Sequence, residues 1–356
     1  MNTLPHFPWD RLEPYKERAR AHPDGIVDLS VGTPVDPVPR IVQDALAGAA
    51  DSPGYPMTHG TRDLREAAAG WLSRRLGVRV DQLDVLPVIG TKEFVAWLPT
   101  YLGAARVVHP ELAYPTYDVG ARLAGASALA SDGLLALGPE RADLVWVNSP
   151  GNPTGKVLPA EHLRKVVAWA RERGAIVASD ECYIELGWEE RPVSILHPDV
   201  CGGSHEGLLA VHSLSKRSNL AGYRAGFVTG DPALVKRLLE TRKHAGMMMP
   251  APVQAAMAAA LGDDAHAEEQ RERYAGRRAR LRPALERAGW RIDHSTAGLY
   301  FWATNGEKSW DQVGKLAEIG ILVAPGDFYG PAGDRHIRIA VTATDERVDA
   351  AVRRLQ

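Results

Sequence analysis

Between about residue 105 and residue 230 the chain alternates short apolar runs with longer mixed stretches. The runs at 106–109, 143–147, 175–179, 208–211 and 226–229 are almost continuously hydrophobic, the pattern of strands buried on both faces. The stretch 159–173 carries apolar residues at helical spacing. Upstream, 83–89 reads as a further strand, weakened by Pro87, and it leads into a helix at 94–102. Two more helices are predicted over 41–50 and 61–76. Thr61 is placed to cap the second, and Leu64, Ala67, Ala68, Trp71 and Leu72 form its core face. Residues 1–40 are proline-rich with little periodicity, apart from a strand-like piece at 28–34 ending in Gly32-Thr-Pro34.

Beyond residue 230 the texture changes. Long helical stretches at 231–262 and 264–288 precede strands within 290–303, a helix at 309–319, strands at 321–324 and 336–341, and a last helix. Alternation followed by this pattern predicts an α/β domain with a largely parallel sheet and a smaller α+β domain. We place the large domain at 45–240 and assign 1–44 together with 241–356 to the small one. The arginines of 271–287 are interleaved with Glu268, Glu269, Glu272 and Glu286, which reads as a solvated helix face rather than a nucleic-acid surface.

In sheets of this kind ligands sit beyond the carboxyl ends of the strands. Polar residues fall there: Asn152 after 143–147, Asp180 after 175–179, and Ser213 and Lys216 after the run from 208. Gly90-Thr-Lys-Glu93 joins a strand to a helix start, where free N–H groups and the helix dipole favour phosphate. It is neither a Walker A loop nor a dinucleotide fingerprint. Around Lys216 stand two hydroxyls, Ser213 and Ser215, and Arg224 follows just before the next run. A lysine does covalent work as a free amine or as an imine to a carbonyl compound. The hydroxyls and the always-charged fork suit a phosphate. Together they point to a phosphate-bearing aldehyde beside an amine: pyridoxal 5'-phosphate (PLP) as a Schiff base on Lys216.

Composition narrows the field. A formal net charge of −2 and a pI near 6.6 favour neither nucleic acid nor an anionic membrane. No run approaches the roughly 18 apolar residues of a membrane span, and the first ten residues lack the pattern of a signal peptide, so a cytoplasmic protein is expected. Cys182 and Cys201 are the only cysteines. Neither has a partner at metal-ligand spacing, so no metal site is predicted, and Cys182 reads as a small buried filler rather than a nucleophile.

Seven motifs in one order carry a family resemblance: Tyr55 with the following Gly-x-x-x-Leu-Arg, Gly90-Thr-Lys-Glu, Tyr114-Pro-Thr-Tyr, Asn152-Pro-Thr-Gly, Asp180-Glu-Cys-Tyr, Ser213-Leu-Ser-Lys with Arg224, and Arg338. The chain resembles the PLP-dependent aminotransferases of fold type I, class I/II, and more narrowly the short bacterial succinyldiaminopimelate aminotransferases. The resemblance implies a mostly parallel seven-stranded sheet in the large domain and a homodimer with shared active sites. It implies that Asp180 faces the cofactor's ring nitrogen, and that Asn152 and Tyr183 bond its phenolic oxygen. Tyr114 would stack on the ring, with Tyr117 as competitor. Gly90, Thr91, Lys92, Ser213, Ser215 and Arg224 would hold the phosphate, with Tyr55 reaching it from the other subunit. Lys216 would be the catalytic base, Arg338 and the Gly32 backbone would take the substrate's carboxylate, and Asn152 would also line the substrate site. Thr91 departs from the serine or glycine common in the family but keeps a hydroxyl.

The reaction implied is amino transfer between L-glutamate and N-succinyl-2-amino-6-oxopimelate, a step toward diaminopimelate and lysine. Transfer to aspartate or aromatic amino acids, and PLP-dependent C–S lysis, remain open. Lys92 and Arg217 are candidates for the distal end of the substrate, and the stretch before Gly32 and the loop 325–330 for shaping its mouth. A regulatory module is disfavoured, because about 27 residues precede Asp28, too few for a DNA-binding unit.

Overall fold

A computed structural model describes residues 4–133 and 141–356. Its centre is a seven-stranded sheet in the order Asp84–Ile89, Ala225–Gly230, Leu208–Ser213, Ile176–Asp180, Leu144–Asn148, Arg106–His109, Ser127–Ala130. Only Ala225–Gly230 runs antiparallel to its neighbours. Asp84–Ile89 is an edge strand, which is where a proline such as Pro87 is tolerated. Successive side chains alternate between two cores. Val145, Val147, Val177 and Ala210 enter one; Leu144, Trp146, Ala178, Leu209 and Val211 enter the other. Because both faces are covered, these strands read as continuous apolar runs.

The one reversed strand starts where its neighbours end, with Ile89 opposite Ala225 and Ser213 opposite Gly226. Arg224, just before it, therefore arrives at the same edge as Gly90, Asn152, Asp180 and Ser213.

A second, antiparallel sheet has the order Ala324–Pro325, Ile337–Ala340, Tyr300–Thr304, Arg291–Asp293. It forms its own core with Leu12, Ala19, Tyr274, Phe301 and Val348. Val27–Asp28 pairs in parallel with Ile321–Leu322, so the N-terminal segment lies against this second sheet. No helix among the described residues is long and apolar enough to cross a membrane.

Several expectations change. A 3-10 turn, Pro8–Leu12, and a helix, Glu13–Arg20, occupy the N-terminal stretch expected to lack structure. The helical stretch 231–262 is two helices, Pro232–His244 and Ala251–Gly262, parted where Gly246 adopts φ +68 and Pro250 caps the next start. Met249, Met257 and Leu261 then join the core of the seven-stranded sheet, although they follow residue 240. The arginines of the helix Ala265–Arg287 are not all solvated. Arg277 and Arg278 are buried, the first on Asp36 with bonds of 2.8 and 2.6 Å, the second on the Ser295 carbonyl at 2.8 Å with its guanidinium 4.7 Å from the Phe301 ring. That helix ties the N-terminal segment and the second sheet together, and Arg280 on Asp345 and Asp349 fastens the last helix, Asp345–Arg354, to its outer face.

Candidate active site

The strand ends and the N-terminal segment enclose a cavity of about 480 Å³. Twelve of the residues singled out from sequence line it: Gly32, Thr91, Lys92, Tyr114, Asn152, Asp180, Tyr183, Ser213, Ser215, Lys216, Arg224 and Arg338. Gly90 stands immediately behind. A Cβ on Gly90 would lie 2.2 Å from Nη2 of Arg224, so the glycine is what lets the guanidinium pass under the loop. Arg224 itself has φ 55, a left-handed conformation uncommon for a bulky residue and frequent at binding sites. Tyr55 is not brought in: it is 94% exposed and lies outside the cavity within one chain. Arg217, a candidate for the distal substrate contact, is also elsewhere, buried on Glu185 and on the Ala260 carbonyl.

Lys216 lies on a single helical turn, Leu214–Arg217, capped by Ser213, whose Oγ accepts from the Ser215 N–H at 3.2 Å. Burial lowers the pKa of its amine, and the nearby Arg338 and Arg224 act in the same direction, against Tyr300 and Cys182. A lysine depressed in this way is a better nucleophile and base near neutral pH.

Asp180 is buried. Tyr117 donates to its Oδ2 at 2.8 Å and the Cys182 N–H to its Oδ1 at 3.2 Å. Burial pushes this carboxyl above its ordinary range, while those bonds pull it back. A desolvated carboxylate with no cationic partner among the described residues is matched to a cationic ring nitrogen in the cavity. Tyr117 is fully buried and stacked on Trp146 at 5.0 Å, which leaves Tyr114 as the ring on the cavity wall. Burial pushes the Tyr114 phenol up to about 12.

Arg338 is 3% exposed. Its Nη1 donates to Oδ1 of Asn152 at 2.9 Å and its Nη2 to the Ser30 carbonyl at 2.8 Å. Its guanidinium sits 4.0 Å from the ring of Tyr300 and 4.9 Å from that of Tyr329. No carboxylate pairs with it among the described residues, and its Nε has no partner. A buried, uncompensated arginine facing a cavity is a receptor for an anion. Asn152 is held by Asn148, which accepts from its backbone N–H at 2.8 Å and donates to the Asp180 carbonyl at 2.9 Å.

Sequence reasoning missed Tyr300, whose hydroxyl is 3.1 Å from that of Tyr183. A Cβ on Gly32 would lie 2.2 Å from the Tyr300 hydroxyl, so the absence of a side chain at Gly32 admits this tyrosine. Phe7, Trp9, Leu12, Glu13 and Lys16 also line the mouth. The loop 325–330 stands one layer behind them, Phe328 against Trp9 at 5.2 Å between ring centroids. Cys182 reaches the cavity wall with its Sγ 3.4 Å from Oγ1 of Thr91, and burial raises its thiol well above the ordinary value, which argues against a nucleophile.

A buried lysine, an uncompensated carboxylate and a carboxylate receptor, arranged at the strand ends of a mostly parallel sheet, define a class of enzyme that works on amino acids. The family profile described as aminotransferase class I and II matches residues 24–355, and the chain belongs to that family, whose members are PLP-dependent aminotransferases. It is 63% identical, over the whole of both chains, to the 4-dedimethylamino-4-oxo-anhydrotetracycline transaminase OxyQ of Streptomyces rimosus. It is 65% identical to the probable aminotransferase Rv1178 of Mycobacterium tuberculosis, over 99% of this chain and 85% of that one. A solved structure of a probable N-succinyldiaminopimelate aminotransferase from Thermus thermophilus superposes with a TM-score of 0.87 at 29% identity, covering 98% and 99% of the two chains.

The residues present fit PLP. The helix Thr91–Leu102 starts without a side-chain cap, leaving N–H groups for a phosphate. Arg224 lies beneath it, and Ser213 and Ser215 share the same wall. Asp180 supplies the buried carboxylate, and Lys216 the amine.

Proposed function

We propose that this aminotransferase moves an amino group between L-glutamate and N-succinyl-2-amino-6-oxopimelate. The observation that carries amino-acid recognition is Arg338, buried, without an acid partner, in the same cavity as Lys216. Its fork takes the carboxylate next to the reacting carbon, and the Gly32 backbone completes that subsite. Gly90, Thr91, Lys92, Ser213, Ser215 and Arg224 hold the phosphate, and Tyr114 covers one ring face. Asn152, whose Oδ1 is occupied by Arg338, has its amide N–H groups left for the ring's phenolic oxygen, beside Tyr183. Asp180 opposes the ring nitrogen. Bound in this way, the cofactor supplies a carbonyl that accepts the amino group and a ring that draws electrons from the substrate's α-carbon. Lys216, as a free amine, takes the proton from that carbon and returns it on the other side of the transfer. A positioned base of this kind contributes about 10²–10⁴-fold.

The long acylated acceptor is supported by the wide mouth and its cations, Lys16 and Lys92, and by the likeness to the Thermus protein. A second reading has its own support. Phe7 and Trp9 are stacked at 5.5 Å on the mouth, suited to a flat aromatic ketone of the kind named for OxyQ. Purified protein loaded with PLP and L-glutamate is to be assayed against the succinylated keto acid, oxaloacetate, an aromatic keto acid and a polycyclic ketone, with L-cystathionine as a lyase control. The succinylated acid should show the highest kcat/KM. A value well below any of the other acceptors, or pyruvate released from L-cystathionine, would replace the substrate and leave the buried-lysine chemistry in place.

We also infer a cytoplasmic homodimer. Val31, Val35, Ile41, Tyr55 and Met57 are all exposed within one stretch, beside an open apolar groove formed by Pro37, Val38, Leu46, Tyr223 and Pro252. Exposed apolar surface of that extent marks an interface, and a second copy seated there would let Tyr55 reach the partner's phosphate site. The cytoplasm suits its two unpaired thiols. Sedimentation should find a dimer at assay concentrations; a fully active monomer would rule this out.

A further inference from the structure

Behind the active site lies a small chamber that takes no direct part in amino transfer. It measures about 10 Å³ and is bounded by Trp71, Glu181, Glu185, His212, Ser213 and Arg217. Three of these are the chain neighbours of active-site residues: Glu181 follows Asp180, His212 precedes Ser213, and Arg217 follows Lys216. The chamber is thus the reverse side of the wall that carries the carboxylate, a phosphate hydroxyl and the amine.

Its polar atoms are unusually poorly matched. Trp71 Nε1, Glu181 Oε2, both ring nitrogens of His212 and Arg217 Nη2 are buried without a hydrogen-bond partner within the protein. The Glu181 carboxyl accepts from the Ile195 N–H, on Oε1 at 2.8 Å, and the Ser194 and Ser179 hydroxyls also bond to it; all three oppose the burial that raises its pKa. Oε2 faces His212 Nε2 at 3.7 Å, too long for a direct bond but suited to a bridge by water. A space of about 10–15 Å³ with two to four polar partners holds one water. The rings of Trp71 and Phe227 close around His212 at 5.1 and 5.0 Å.

We propose that Glu181 and His212 form, through one buried water, an uncharged proton-holding pair that positions the strand ends bearing Asp180 and Ser213 and keeps a second negative charge away from Asp180. Glu181 carries the proton and donates it to the water, which donates to a ring nitrogen of neutral His212. Burial acts on both partners in this sense, raising the glutamate to about 7 and lowering the histidine to about 3. The other charged groups nearby are already committed. Glu185 is paired with Arg217 and Arg75, Asp180 faces the cavity, and Cys182 stays a thiol. An ionised Glu181 would stand next to Asp180 and favour protonation of that carboxylate. The value of the arrangement to catalysis rests on Asp180 serving the ring nitrogen, but the state of Glu181 is measurable without it.

The test uses the PLP-loaded enzyme. At about pH 6 the infrared spectrum should contain the C=O stretch of a protonated, buried carboxyl, shifted in D2O and lost in Glu181→Gln. A crystal structure should place a water within hydrogen-bond distance of Glu181 Oε2 and a His212 nitrogen. The proton also sets the sign of a pH effect. The folded carboxyl is raised from the ordinary 4.5 to about 7. Its stabilising contribution is therefore complete below about pH 4.5 and is lost as pH rises through about 7. The urea midpoint of the wild type relative to Glu181→Gln should accordingly fall between about pH 5.5 and 7 and level off above. Absence of that band, or a flat difference over that window, overturns the proposal. So would a dry chamber. If Glu181→Gln does not fold, the D2O shift in the wild type and its persistence in His212→Gln decide the matter.

Discussion

Lys216→Ala lowers kcat/KM for aminotransfer by about 10⁴-fold, the upper end of what a positioned base supplies, and removes the visible absorption of the bound cofactor. The effect is large because no other amine can substitute. Lys216 is held on one helical turn with its backbone carbonyl accepting from Tyr274 at 3.4 Å, and burial keeps its amine ready to lose a proton. Lys16 and Lys92 also line the cavity, but at its mouth. The Lys92 ammonium is 5.2 Å from the ring of Phe7. Borohydride reduction followed by peptide mapping reads the outcome directly: the cofactor should be recovered on Lys216, and recovery on Lys92 or Lys16 would refute the assignment.

Asp180→Ala is the second large effect, a fall in kcat of about 10²–10³, similar to the removal of one preorganised electrostatic contact from an active site. The carboxylate is buried, and its two bonds come from Tyr117 and from the Cys182 backbone. Both are neutral donors, so its charge remains available to the ring nitrogen. Truncation to alanine also strands the Tyr117 hydroxyl, a loss of about 1–3 kcal/mol in stability. Asp180→Asn keeps an acceptor for Tyr117 and separates the two effects. It should unfold at nearly the wild-type temperature yet transfer amino groups as slowly as Asp180→Ala. Near-normal half-reaction rates in Asp180→Asn would show that the carboxylate does not serve the ring.

The parts of this molecule legible in its sequence share a physical cause. Strands buried on two faces leave continuous apolar runs, and ligand-binding residues follow their ends, so Asn152, Asp180, Ser213 and Lys216 can be placed from the sequence. The pairing partner of a strand leaves no such mark. Nothing in 225–230 announces that it alone runs backwards, and that reversal is what delivers Arg224. Tyr300 was hidden for a related reason: it reaches the site from an element distant in sequence, and a tyrosine at that position looks like ordinary core. The N-terminal helix did leave a signal, because Trp9, Leu12, Tyr15 and Ala19 recur every three or four residues. Pro5, Pro8 and Pro14 masked it, although a proline in a first turn is compatible with a helix. Arg277 and Arg278 were misread because charge interleaving describes a helix surface, whereas their burial depends on Asp36 and Phe301 from elsewhere in the fold.

The pairing of Val27–Asp28 with Ile321–Leu322 has a bearing on biosynthesis. The segment's backbone is anchored by late residues: Leu29 donates to the Leu322 carbonyl and accepts from the Ala340 N–H, both at 2.8 Å, and the Ser30 carbonyl accepts from Arg338. Chains grow from the N-terminus, and domains fold as they emerge. All seven strands of the central sheet have been made by residue 230, while residues 27–30 wait for partners around 321–340. The wall that receives the cofactor is thus available to a nascent chain well before the wall that receives the substrate. These early residues are among the last to dock, and until then Phe7, Trp9 and Leu12 are apolar surface on an unanchored segment. Any chain stalled short of residue 321 keeps that segment free, which makes it a place for a chaperone or a protease to find first.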